Sequence, residues 1–150
     1  QYFFRIFLTR RLARELAMKT LFAHEFSQNN PEEILPQLCE EMQASFDAQR
    51  FSESLVQGVI ANQSFLDKII KTYAVEWDLE RIAFVDKNIM RIALYEIIFS
   101  ENTPVAVAIN EAIEIAKIYS GHEAPRFING ILGKVINDLP ELRKQSLKEN

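Results

Sequence analysis

Asp78-Leu79-Glu80-Arg81-Ile82-Ala83-Phe84-Val85-Asp86-Lys87-Asn88-Ile89-Met90-Arg91-Ile92-Ala93-Leu94-Tyr95-Glu96-Ile97-Ile98-Phe99, wound as a helix, is apolar on nearly every side. Asp86, Lys87, Arg91 and Glu96 are its few charges. A helix with no polar face is buried on several sides, so the rest of the chain has to surround it. The flanking sequence offers helices for that purpose. Thr103-Pro104 starts one that turns Val105, Ala108, Ile109, Ala112, Ile113 and Ala116 inward and Glu111, Glu114 and Lys117 outward. After a break at Ser120-Gly121, Pro125 opens another through Phe127, Ile128, Ile131, Leu132, Val135 and Ile136, and Pro140 starts a short charged last helix.

Upstream, the spacing predicts a helix over about 49–73, weakened but not broken at Gly58 and Asn62-Gln63. Asn30-Pro31-Glu32-Glu33 has the form of a helix start, with Asn as cap, and Pro36 should kink or delay that helix. The first helix is expected over about 9–26. On a wheel of about 100° per residue, Leu12, Ala13, Leu16, Ala17, Thr20 and Ala23 share the core face. Arg10, Arg11, Arg14, Met18 and Phe22 fall on the other. With no strand pair, repeat or linker in evidence, the expectation is an all-α bundle of about seven helices. The apolar head at 1–8 is set apart as a segment of uncertain origin, and 9–150 is read as one helical domain.

Composition narrows the function. The chain of 150 residues has a net charge of −4, yet residues 1–20 carry five basic side chains against one acid, while residues 25–57 carry seven acids against one arginine. That asymmetry points to a polyanion on one face. A single cysteine, Cys39, allows no internal disulfide and fits a reducing, cytoplasmic setting; its neighbours read as core or boundary. No apolar run reaches the ~18 residues of a membrane span.

Catalytic and metal templates fail. His24-Glu25 and His122-Glu123 lack the second histidine of a zinc-protease helix, since Gln28 and Arg126 stand there. There is no phosphate-binding glycine loop, and Gly130-Ile131-Leu132-Gly133 is read as close helix packing. No metal, cofactor or catalytic residue is expected. Arginines pair with phosphates and aromatic rings stack on bases, so Arg10, Arg11, Arg14 and Phe22 suit RNA. So does Glu123-Ala124-Pro125-Arg126-Phe127-Ile128-Asn129, with Arg126 as cation, Phe127 as platform and Asn129 as a base-edge partner. On the residues alone, a solvated basic face and a core Phe127 stand as the competing readings.

Four collinear blocks carry a resemblance. They are Arg10-Arg11-Leu12-Ala13-Arg14-Glu15-x-Ala17-x-x-x-Leu21-Phe22, Val85 to Glu96, Pro104 to Lys117, and Arg126-Phe127-Ile128-Asn129-Gly130-Ile131-Leu132. Together they resemble the NusB family of bacterial transcription antitermination factors. The resemblance implies two small helical subdomains, no enzymatic activity, and binding of single-stranded boxA RNA in nascent ribosomal RNA. It implies NusE, a small-subunit ribosomal protein, as co-binder, and NusA, NusG and RNA polymerase as the wider complex. It also admits a homodimer that hides the arginine face. By position it assigns RNA contact to Arg10, Arg11, Arg14, Phe22, Glu123, Arg126 and Phe127, and the NusE-facing region to Glu80, Asp86, Lys87 and Met90. Asn110 and Glu111 are assigned to helix packing or capping. Leu12 stands where many members have a third arginine, and Phe22 lacks the hydroxyl of the usual Tyr. The alternative is the RNA-binding domain of a ribosomal-RNA cytosine methyltransferase, of which this chain would be a fragment.

Overall fold

The computed structural model describes residues 2–149. Among them it forms eight α-helices and no strand: α1 Tyr2–Ser27, α2 Pro31–Glu41, α3 Phe46–Ala61, α4 Gln63–Tyr73, α5 Phe84–Phe99, α6 Val105–Tyr119, α7 Ala124–Asn137 and α8 Leu139–Glu149, with a 3-10 turn at Leu79–Arg81 before α5. The helices α1, α2 and α3 pack on one another, and α4, α6, α7 and α8 gather around α5. Helix α1 also lies against α5, so the two groups share one continuous core. Met90, Leu94, Ile97, Leu16, Leu66 and Leu132 sit at its centre.

The apolar reading of α5 holds, but its start does not. Leu79–Arg81 forms a separate turn, and Ile82 and Ala83 are extended, at ψ near 132° and 142°. Ile82 is nonetheless buried, so an apolar side chain anchored in the core from extended backbone continued the helical pattern without being helix.

The expected single helix over 49–73 is two. It starts earlier, where the Ser45 hydroxyl accepts from the Ala48 amide at 3.1 Å. It then breaks at Asn62, whose side-chain amide donates to the Gly58 carbonyl at 2.8 Å and whose backbone N–H also turns back on that carbonyl. Gly58 is required for a different reason. A Cβ there would clash with Cζ of Tyr95, so the glycine lets α3 and the Tyr95 ring of α5 approach closely. Gly130 and Gly133 meet nothing at their Cβ positions and face solvent, which overturns the close-packing reading given to them.

Asn30 caps α2 as expected, its Oδ1 accepting from the Glu32 amide at 2.9 Å with Pro31 in the first turn. Pro36 neither delays nor ends α2, which runs on to Glu41. Helices α1 and α2 both end on glutamines in the left-handed region, Gln28 at φ 65° and Gln43 at φ 51°, where glycine is the usual residue. Helix α1 also runs back through the head that was set apart, leaving Phe3, Phe4, Ile6, Phe7 and Leu8 exposed.

Candidate nucleic-acid interface

Helix α1 packs against α2, α3 and α5, so more of its circumference is buried than one amphipathic stripe allows. The consequence falls on the arginines, which the wheel placed together on the outside. Arg14 is only 5% exposed. Its Nε and Nη2 donate to the two carboxylate oxygens of Glu96 at 2.9 and 2.8 Å, and its Nη1 reaches Glu111 at 3.4 Å. Thr103 adds a hydroxyl to Glu96 at 3.1 Å. Arg11 is half-buried and makes its own two-point pair with Glu111, Nε to Oε1 at 2.8 Å and Nη2 to Oε2 at 2.5 Å. The Glu111 hydrogen bond raises the Arg11 guanidinium above its ordinary range, against the pull of burial. Glu111, turned outward by the wheel yet also assigned to packing, is 1% exposed and holds both arginines, so the packing role is the one it fills. Its burial is permitted because two fork-shaped cations satisfy its oxygens. Met18 is likewise core. Only Arg10 of the three arginines is exposed, lying 3.9 Å from the centre of the Phe51 ring on α3.

Phe22 is half-buried and lies about two turns beyond Arg14 along α1. It stacks on Phe26 at 6.1 Å and meets Phe84 of α5 edge-on at 6.3 Å. The region of α5 expected to face a protein partner is mixed. Glu80 is exposed in the 3-10 turn. Asp86 is half-buried and accepts from the Ser120 hydroxyl; burial pushes its carboxyl above the usual range, and the Ser120 bond only partly offsets that. Met90 is fully buried and Lys87 is interior, bonded to Glu25 at 3.2 Å, so neither forms part of a protein-facing surface. Met90 is part of the apolar core, and Lys87 belongs to a second buried network. Arg91 there grips Asp67 of α4 at 2.7 and 2.9 Å and Glu25 of α1 at 3.0 Å. Burial opposes the ionised form of Glu25, but attraction to Arg91 and hydrogen bonds from Arg91, Lys87 and Asn88 hold its pKa below the ordinary value.

The start of α7 is open by contrast. Glu123, Arg126 and Asn129 are exposed, and among the described residues Arg126 has no carboxylate partner. Phe127 is half-buried, packed on the core by one side. Its ring meets Trp77 edge-on at 5.5 Å. Trp77 and Phe127 line a concavity of about 240 Å³ with Arg81, Asp86 and Glu123. The sequence reading missed Trp77 because it lies in the loop between α4 and α5, outside any periodic run. The available signal was a lone tryptophan among Val75, Glu76 and Asp78.

The two segments do not meet, but one seam connects them. Long side chains link α1 to α6 along it: Arg11 bonds Glu111, and the Tyr119 hydroxyl donates to Glu15 at 3.0 Å. Lys19 lies 5.1 Å from the centre of the Tyr119 ring, and Ser120 next to it reaches Asp86. From Arg11 to Lys19 the helix rises ~12 Å. Among the described residues no cluster of three or more His, Cys, Asp or Glu could hold a metal ion, and no helix is long and apolar enough to cross a membrane.

Residues 11–137 match the NusB family. The chain belongs to that family. The transcription antitermination protein NusB of Heliobacterium modesticaldum is 43% identical over 136 residues, which is 91% of this chain and 66% of that protein. The chain thus spans slightly less than two thirds of the length of that relative. The Thermotoga maritima NusB structure superposes with a TM-score of 0.81 at 35% identity, over 91% of this chain and 96% of that one. The crystal structure of antitermination factors NusB and NusE in complex with dsRNA has the same fold, with a TM-score of 0.76 at 23% identity over 91% and 97% of the two chains. Membership of the NusB family places the chain among antitermination factors and not among enzymes.

Proposed function

We propose that the chain acts in transcription antitermination by binding single-stranded boxA RNA of nascent ribosomal RNA transcripts together with NusE. The RNA runs along the α1–α6 seam, from Arg10 and the outer edge of Arg11 to Arg126, Phe127 and Asn129. The observation that carries this reading is the state of the cations at the two ends of the seam. Arg10 and Arg126 are exposed and, among the described residues, lack carboxylate partners, in a chain whose net charge is −4. Phosphates compete for such groups, while Arg14 is already neutralised. The concavity of Trp77 and Phe127 suits one unstacked base, and Asn129, exposed on another side of α7, is available for a base edge. Glu123 would contact a base donor and not a phosphate. Glu80 and Asp86 supply the NusE-facing edge, and NusA, NusG and RNA polymerase complete the cytoplasmic assembly. A second copy covering Arg10 would compete with RNA.

The test is fluorescence anisotropy with a boxA RNA and a scrambled RNA, with and without NusE, across a salt series. Selective binding that NusE tightens is expected. Weak binding that is equal for the two RNAs and indifferent to NusE would overturn the assignment.

A further inference from the structure

The acidic stretch over 25–57 takes no part in the seam. In the fold, its first half and last half face each other across a cleft of about 600 Å³, bounded by the end of α1, the first turns of α2 and the last turns of α3. The floor is aliphatic: Leu35 and Val56 belong to the core, and Ile60 is 39% exposed. The rim is acidic. Glu32 stands on α2 and Glu53 on α3, and among the described residues no Lys or Arg lines the cleft. Among those residues, too, neither carboxylate has a cationic partner. Pro36, also at the cleft, lacks the N–H that would bond the Glu32 carbonyl within the helix, which leaves a backbone acceptor beside the acidic rim. Glu33 adds a further negative charge in the same first turn of α2 as Glu32.

We propose that this cleft docks a basic polypeptide segment of a protein partner, seating one aliphatic side chain over Ile60 between Lys or Arg side chains that reach Glu32 and Glu53. Charge complementarity selects this occupant. An RNA is repelled by the rim, and a simple cation has no use for the apolar floor. An uncharged apolar segment would leave both carboxylates unmatched at the edge of a buried patch. The cleft shares no residue with the seam or with the Glu80 and Asp86 edge, so it provides a third surface, one that can be filled while RNA is bound.

The probe is a short lysine-rich peptide with one central leucine, titrated into the isotope-labelled chain and followed by amide chemical shifts. The controls replace its leucine by serine or its lysines by glutamate. Shifts concentrated at Leu35, Val56, Ile60 and their neighbours are expected, with binding lost for the glutamate peptide. The Glu32→Gln/Glu53→Gln double variant should weaken binding about five-fold, and Ile60→Ser about three-fold. Both alter exposed or half-exposed side chains, so circular dichroism should find the helices intact. Scattered shifts, affinity indifferent to the two glutamates, RNA perturbing the same amides, or a second copy already occluding the cleft would each overturn the proposal.

Discussion

The first half of α1 and the start of α7 both present arginine and an aromatic ring, yet they are opposites. At α1, two arginines lie across from carboxylates on α5 and α6 and are consumed by the fold. At α7, no described carboxylate stands across from Arg126, and Phe127 keeps one side toward an open concavity. The difference teaches that an arginine's task is decided by what the tertiary fold brings opposite it. Neighbours in sequence do not decide it, for Arg10 and Arg14 lie one turn apart on one helix and differ completely.

The strongest way to break this contrast is Arg14→Ala. It leaves Glu96 buried without its cation and should cost about 3–5 kcal/mol in urea unfolding; a loss below ~1 kcal/mol would return Arg14 to the surface. Next, Phe127→Ala should weaken boxA RNA binding by about 1–3 kcal/mol at fixed salt if a base stacks there. Unchanged affinity would assign the ring to packing alone. Arg126→Ala should leave stability within ~0.5 kcal/mol and make the dependence of log affinity on log salt shallower by about 0.7. Arg10→Ala should behave similarly, and an unaltered slope in either variant would remove that arginine from the RNA path.

The smallest effect is one of pH. The Asp86 carboxyl is raised by burial, so its contribution to stability is full below its ordinary value of 3.8 and is lost as pH rises through the folded value. Asp86→Asn should therefore flatten the fall in stability as pH rises above the ordinary value of 3.8. Glu25 has the opposite sign. Its pKa is depressed, so its contribution is present above the ordinary 4.5 and is lost as pH falls through the folded value. A steeper pH dependence in the Asp86 variant would contradict the burial argument.

The all-helical plan was legible because the stretch ending at Phe99 is apolar all round, a pattern that only a central helix explains. The break at Asn62 was not, since Asn is tolerated within helices and its decisive bond to the Gly58 carbonyl is a choice of side-chain conformation. Of the proposed site, residue type alone suggested Arg10, Arg126, Phe127 and Asn129, and the fold leaves the first two and Asn129 exposed and Phe127 half-buried. The burial of Arg14 was not legible, because Glu96 and Glu111 lie 82 and 97 residues away in the chain. A helical wheel assumes one buried side, and α1 has several. Lys87 and Met90 were set at the partner-facing edge by resemblance, not by the wheel; in the fold Lys87 pairs with Glu25 inside and Met90 is core.

Gly58 and Tyr95 occupy one volume between them, because the ring fills the space a side chain at 58 would need. The constraint runs one way: a larger residue at 58 has to displace or shrink the Tyr95 ring, whereas trimming Tyr95 leaves an empty space beside Gly58 instead of a clash.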